Sequence, residues 1–274
     1  MEDGARNWEE MEKDCLVVIF SKLGIEDLTV SVPFVCHSWY AATRDPLSWK
    51  ILGFISCNFM PWGSLAKRFA AQYQVSRVSF SSFFKLAVCS SGGLATELRF
   101  PDTASMEDLI LASKECPRLR ILALPRLTME DEERIPRLMA KWKELERLEI
   151  HSKPSNFVHL AAEIAQNCRY IHELVMPGSS IKKEDAQAIV NFLPKLKSLD
   201  LSRSYLRKEE LLTIAEGCRE LERLIAKNCI GFELDEEITR KASRITLFQH
   251  DGSKTKDDVT FELDECDEQY VTVI

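Results

Sequence analysis

Six segments between residues 97 and 226 are variants of Leu-x-x-Leu-x-Leu. They read ELRF (97–100), LRILAL (119–124), LERLEI (145–150), IHELVM (171–176), LKSLDL (196–201) and LERLIA (221–226). Their middle anchors are Leu98, Leu122, Leu148, Leu174, Leu199 and Leu224, so the steps are 24, 26, 26, 25 and 25. Between them lie amphipathic helical stretches such as MEDLILASKEC, VHLAAEIAQNC and EELLTIAEGC. One strand–loop–helix unit cannot bury both its strand leucines and its helix stripe. Successive units must stack to do so.

That period lies in the range of roughly 20–29 residues of leucine-rich repeats. The expected fold is α/β, a solenoid with a curved parallel sheet inside and helices outside. Ser105-x-x-Asp108 and Thr128-x-x-Asp131 have the form of capping boxes at helix starts. Cys116, Trp142, Cys168, Leu193 and Cys218 each stand three residues before a strand motif, one position where the helix turns back and where a small apolar group suits a dry corner. A weaker copy, RITLF (244–248), extends the array, and Ile245 with Leu247 are expected to face inward there.

Residues 8–52 follow another rule. Met11, Cys15, Ile19 and Leu23 fall at helical spacing, widened by Leu16 and Phe20, and Gly24 is expected to stop that helix. In VPFVCHSWYAATRDPLSWKIL (32–52), Val32, Val35, Cys36 and Trp39 share a helical face with Pro33 in the first turn. Asp45-Pro46 reads as an N-cap with Pro at the first helical position. Some forty-five residues of short helices bury little alone and need a neighbour.

A net charge of −7 argues against nucleic acid or an anionic membrane as partner. The acidic start is no signal peptide, and no apolar run approaches the roughly 20 residues of a spanning helix. Nine cysteines without a CxxC pair fit a reducing compartment, cytoplasmic and/or nuclear, better than a disulfide framework or zinc site. There is no phosphate loop, HExxH or GxSxG, so no cofactor and no catalysis are expected.

The first 45 residues resemble an F-box. The carrying residues are Asp27-Leu28, Val35-Cys36-His37-Ser38-Trp39 and Asp45-Pro46-Leu47-Ser48-Trp49, with Met11-Glu12 where the family has Leu-Pro. KLAVCSSGGLATELRF (85–100) and the Cys-bearing repeats are similar to plant F-box proteins with leucine-rich repeats. The resemblance implies an F-box over 8–52, a linker with an irregular first repeat over 53–90, repeats over 91–250 and an acidic tail over 251–274. It implies that the F-box binds a Skp-type adaptor, and through it a cullin and a RING subunit, while the repeats hold a protein target for ubiquitination. A small-molecule co-receptor and a scaffold outside any ligase remain alternatives. Expected adaptor contacts are Leu16, Ile19, Leu28, Pro33 and Trp49, with Val35 and Trp39 serving contact or support.

In Leu-x-x-Leu-x-Leu the second and third leucines point inward, so their neighbours form the concave face. That face is a mixture of signs with apolar breaks, which suits a protein or peptide. Arg99, Arg147, Glu149, His151, Glu173, Asp200, Arg223 and Lys227 are the expected target contacts.

Overall fold

The computed structural model describes residues 8–151 and 153–255. The helical start comprises α1 (Lys13–Phe20), α2 (Ile25–Val30), a 3₁₀ turn Val32–Phe34, α3 (His37–Thr43) and a 3₁₀ turn Pro46–Trp49. The expected single helix around Pro33 is thus two pieces, and α1 ends at Phe20, four residues before Gly24, which instead precedes α2. Asp45 does cap the last turn, its carboxylate accepting from the Leu47 amide at 3.1 Å. A 3.0 Å ion pair from Lys13 to Asp45 ties that cap to α1 and, with the Leu47 amide, holds the Asp45 carboxyl below its ordinary pKa.

The solenoid follows without a break. In chain order it contains β1 (Ile51–Gly53), α4 (Ser64–Tyr73), α5 (Phe80–Ser91), β2 (Glu97–Arg99), α6 (Met106–Glu115), β3 (Ile121–Ala123), α7 (Met129–Met139) and β4 (Arg147–Glu149). Then come α8 (Phe157–Asn167), β5 (Glu173–Val175), β6 (Ser180–Ile181), α9 (Lys183–Phe192), β7 (Ser198–Asp200), β8 (Tyr205–Leu206), α10 (Lys208–Gly217), β9 (Arg223–Ile225), α11 (Glu236–Ala242) and β10 (Leu247–Gln249). Eight strands form one parallel sheet in the order β1-β2-β3-β4-β5-β7-β9-β10, and β6 pairs with β8 in a second, two-stranded sheet.

The predicted anchors set the register. Leu98, Leu122, Leu148, Leu174, Leu199 and Leu224 lie opposite one another across the sheet and all are buried. Both expected capping boxes form. Cys116, Cys168 and Cys218 are buried at the return corners beside Trp142 and Leu193. Burial pushes the first two thiols up to about 12.

Two expectations about the ends of the array are corrected. In the last rung Phe248 lies opposite Leu224 and Leu247 opposite Arg223. Ile245 points inward as expected, but Leu247 is exposed. The inward pair is Ile245-x-x-Phe248, because the three-residue step of the other rungs holds and the choice of residue does not follow the leucine. At the other end β1 is a rung, with Leu52 opposite Leu98. The expected division after residue 52 falls inside this strand. Trp49, Leu52 and Phe54 are its Leu-x-x-Leu-x-Leu, all buried. The acidic tail lies, from residue 256 onward, outside the described residues.

A turn recurs after the later strands. Gly178, Arg203, Asn228 and Gly252, spaced by about one repeat, all have left-handed backbone, with φ of 63, 59, 53 and 75°. The amide of Gly178 donates to Ser202 O at 2.8 Å, that of Arg203 to Lys227 O at 2.7 Å and that of Asn228 to Asp251 O at 2.9 Å. The stacked turns thereby satisfy their own backbone groups. Left-handed backbone costs a side-chain-bearing residue roughly 1–2 kcal/mol, which is why glycine fills two of the four positions.

One core runs from Leu16 in α1 to Ile245 before β10. Near the joint, α4 is bound to α2: Arg68 pairs with Glu26 at 3.1 Å and donates to Ser31 Oγ at 2.8 Å, and the Tyr73 hydroxyl donates to Thr29 O at 2.9 Å.

Candidate functional site: an uncovered helical flank and a concave sheet

The helix α1 is apolar on both sides. Leu16, Val17 and Phe20 face the core, with the Phe20 ring edge-on to Trp39 at 5.4 Å. Cys15, Val18 and Ile19 face outward. The expected apolar stripe is therefore split, with Leu16 and Phe20 in the core and Cys15 and Ile19 on the solvent side. A helix apolar all round is normally buried on all sides; here one side has no cover among the described residues.

The seven expected adaptor contacts divide accordingly. Ile19 and Val35 are exposed. Trp39 is partly buried, its indole N–H donating to Trp8 O at 3.2 Å. Leu16, Leu28 and Trp49 are corrected: they are core residues, exposed by no more than 4%. Leu28, Pro33 and Trp49 also line a cleft of about 490 Å³ against Tyr73 and Leu86, at the joint with α4 and α5. The Trp49 indole is spent on Thr43 O at 2.6 Å. Val18, Phe34, Tyr40 and Leu47 are exposed apolar side chains that the pattern did not single out. The signal for Val18 was available, since Cys15 and Val18 stand one turn apart on the face opposite Leu16 and Phe20.

On the sheet, residues flanking each buried anchor do form the open face. Its charges are largely spent on one another. Arg99 donates from Nε to Glu97 at 2.6 Å and from Nη1 to Glu149 at 2.6 Å. Arg147 donates from Nε to Glu149 at 2.7 Å and from Nη1 to Glu173 at 2.9 Å. The result is a five-membered chain, Glu97–Arg99–Glu149–Arg147–Glu173, with three carboxylates and two guanidinium groups. Arg99 crosses a whole strand to reach Glu149, and small Ala123 on β3 leaves it room. Burial alone would lower the Arg99 pKa, but its hydrogen bonds to Glu97 and Glu149 outweigh that and raise it.

The other expected contacts are placed as follows. His151 lies 3.1 Å from Asp102. Asp200 accepts from the Ser202 amide at 2.9 Å and hydroxyl at 2.6 Å. Lys227 is 3.8 Å from Asp251, itself 80% exposed, a pair worth little in water. Arg223 is exposed and makes no ion pair among the described residues. Sequence reasoning found these positions but not their pairing, because the partners are about a repeat or two apart in the chain. It also missed Ile55, which lies in the loop after β1 and lines a small cavity of about 110 Å³ with Phe100, Ala123, Val175 and Pro177.

Among the described residues no group of three or more His, Cys, Asp or Glu side chains could hold a metal ion. No helix there is long and apolar enough to cross a membrane.

No family model matches the chain. Curated relatives do. The F-box protein SKIP1 of Arabidopsis thaliana is 26% identical over 273 residues, 89% of this chain and 86% of the relative. The F-box protein FBW2 of the same plant is 23% identical over 247 residues, 86% and 72% of the two chains. Among solved structures, a TLR13–ssRNA13 complex gives a TM-score of 0.41 at 13% identity, covering 61% of this chain and 24% of that one. That likeness is too remote to argue from, and the solenoid rests on its own strand register. An F-box/LRR-repeat protein of Arabidopsis thaliana is 30% identical over 266 residues, which are 89% of this chain and 83% of that protein. At that identity and coverage of both proteins, the chain belongs to the F-box/LRR-repeat family.

Proposed function

We propose that this protein is the target-recognition subunit of an SCF-type cullin–RING ubiquitin ligase and is itself non-catalytic. The helical start binds a Skp-type adaptor, which brings cullin and RING subunits, and the concave sheet binds a protein that becomes ubiquitinated. The observation that carries the reading is α1, whose Val18 and Ile19 stay exposed while Leu16, Val17 and Phe20 complete the core. A second chain covering that outer side would bury the rest of the helix. The small-molecule co-receptor is disfavoured, since the cavity on the concave face is only about 110 Å³. The nine cysteines without a CxxC pair support a reducing compartment, cytoplasmic and/or nuclear, for this activity.

The test is co-purification of the full chain with a Skp-type adaptor, followed by reconstitution with cullin and RING subunits. A stable complex that supports ubiquitin transfer to a captured target is expected. A folded chain that leaves the adaptor unbound, while a control F-box protein captures it, refutes the proposal. A chain that binds adaptor but supports no transfer belongs to the scaffold reading instead.

A further inference from the structure

Among the described residues, one arginine of the concave face, Arg223, has no carboxylate partner. Arg99 and Arg147 are each gripped by two carboxylates, so neither is available to a ligand without breaking the chain of pairs. Arg223 is not gripped. It stands in the first row of the face between Ser198 and Leu247 on the adjoining strands. The acidic side chain of β7, Asp200, turns to Ser202. Lys227 lies two residues further along the same rung and has only its loose 3.8 Å contact with Asp251.

The face also has a mostly apolar recess, a cavity of about 110 Å³ lined by Ile55, Phe100, Ala123 and Val175 together with Glu149 and His151. Liquid water occupies about 30 Å³ per molecule, so the recess has room for one aliphatic side chain and no cofactor. Ile55, 62% exposed, lines it from the loop after β1, while Val175 and Pro177 line it from the β5 side, nearest Arg223.

Recess and cation are related by the sheet's own geometry. Arg223 is in register with Ser198, and Ser198 with Glu173, so it lies two strands over from β5 and two residues back from Val175. With strands about 4.8 Å apart and a rise of about 3.3 Å per residue, the backbone of Arg223 lies about 12 Å from that of Val175, the near wall of the recess, or roughly three to four residues of extended peptide.

We propose that the concave face captures an extended peptide segment with one aliphatic side chain for the recess beneath Ile55 and one anionic side chain, three to four residues away, for Arg223. The anion is a carboxylate or a phosphate on a side chain. The inference rests on the target-recognition reading and adds to it the chemistry of the target.

The test uses the full chain and dye-labelled twelve-residue Gly/Ser peptides carrying one Leu and one Glu, with the spacing varied from one to six residues. Fluorescence anisotropy is expected to show tightest binding at spacings of three and four. Arg223→Glu is expected to weaken that binding at least tenfold, and exchanging the peptide's Glu for Lys to restore it. Ile55→Ser, at an exposed position, is expected to weaken binding several-fold without changing the unfolding midpoint. Replacing Glu with phosphoserine separates the sources: tenfold tighter binding assigns a phosphate, equal binding a carboxylate. Binding that ignores spacing, or that Arg223→Glu leaves unchanged, overturns the inference. If no peptide binds while the same preparation captures a Skp-type adaptor, this inference fails and the ligase reading stands. Peptide binding with the expected spacing by a chain that ignores the adaptor gives the opposite result.

Discussion

Replacing Val18 and Ile19 together by serine separates adaptor binding from folding on a single helix. Val18 is 64% exposed and Ile19 38%. Fully burying an aliphatic side chain is worth about 1.5–3 kcal/mol, so the uncovered shares of the two add up to about 1.5–3 kcal/mol if a partner covers them. That corresponds to a rise of about 10- to 200-fold in the adaptor Kd. The fold should barely respond. Serine, valine and isoleucine have similar helix propensities, and surface changes away from special contacts usually stay within about 0.5 kcal/mol. Leu16→Ala, on the opposite side of the same helix, is the converse case. Leu16 is 0% exposed, and such truncations cost about 2–5 kcal/mol of stability. The assays are calorimetric titration with a Skp-type adaptor and urea unfolding, run on all three proteins. The reasoning is refuted if the serine pair binds the adaptor within about twofold of wild type, a difference of about 0.4 kcal/mol. It is equally refuted if that pair loses as much stability as Leu16→Ala.

Three further outcomes follow from the geometry. Gly178→Ala should cost about 1 kcal/mol by urea unfolding, from left-handed backbone alone, since a Cβ there meets nothing within 4 Å; Gly231→Ala should cost more, because its Cβ would meet the Leu206 carbonyl oxygen at 2.7 Å, backbone that cannot swing aside. Burial pushes Cys116 and Cys168 from the ordinary 9.0 up to about 12, and burial, partly opposed by Arg244, pushes Cys218 to about 11. Their stabilisation is whole below pH 9, where the unfolded thiols keep their protons, and is lost as pH rises from 9 through 11 to 12. The unfolding free energy should therefore fall by up to about 1.4 kcal/mol per pH unit per thiol above pH 9, and Cys168→Ala should flatten that slope by one thiol's share. Glu149→Gln removes the carboxylate that Arg99 and Arg147 share; destabilisation of about 1–3 kcal/mol is expected, with tighter binding of acidic peptides to the freed guanidinium groups, read by urea unfolding and anisotropy.

The repeat was legible because parallel stacking repeats one local environment. A side chain that works at Leu98 works again at Leu122 and Leu148, so register and corner cysteines appear as spacing. The first rung hid in plain sight. Trp49-x-x-Leu52-x-Phe54 has the right pattern, but two helices separate it from β2 and the usual step is missing. Phe248 was missed because the last rung gives its inner place to an aromatic and its outer place to a leucine, a swap that composition cannot detect. The two sides of α1 were legible only in part: spacing separates Cys15 and Val18 from Leu16 and Phe20, but with apolar residues on both sides periodicity cannot say which side has a partner in the same chain. The concave residues were legible as positions but not as free charges. Whether an arginine is available depends on carboxylates a repeat or two away and on an alanine small enough to reach across.

Trp49 is at once the last residue of the helical start and the outer anchor of the first rung, and Leu52 three places on is in the sheet. No slack lies between the helical start, here the hook, and the open sheet. The joint is welded rather than tethered, so the bearing of the sheet on the helical start is fixed by packing and cannot be altered by inserting a few residues. Reach can change only in quanta of one rung, about 4.8 Å along the stack. Gaining or losing a whole unit would move the far rim by that increment and leave the hook where it is.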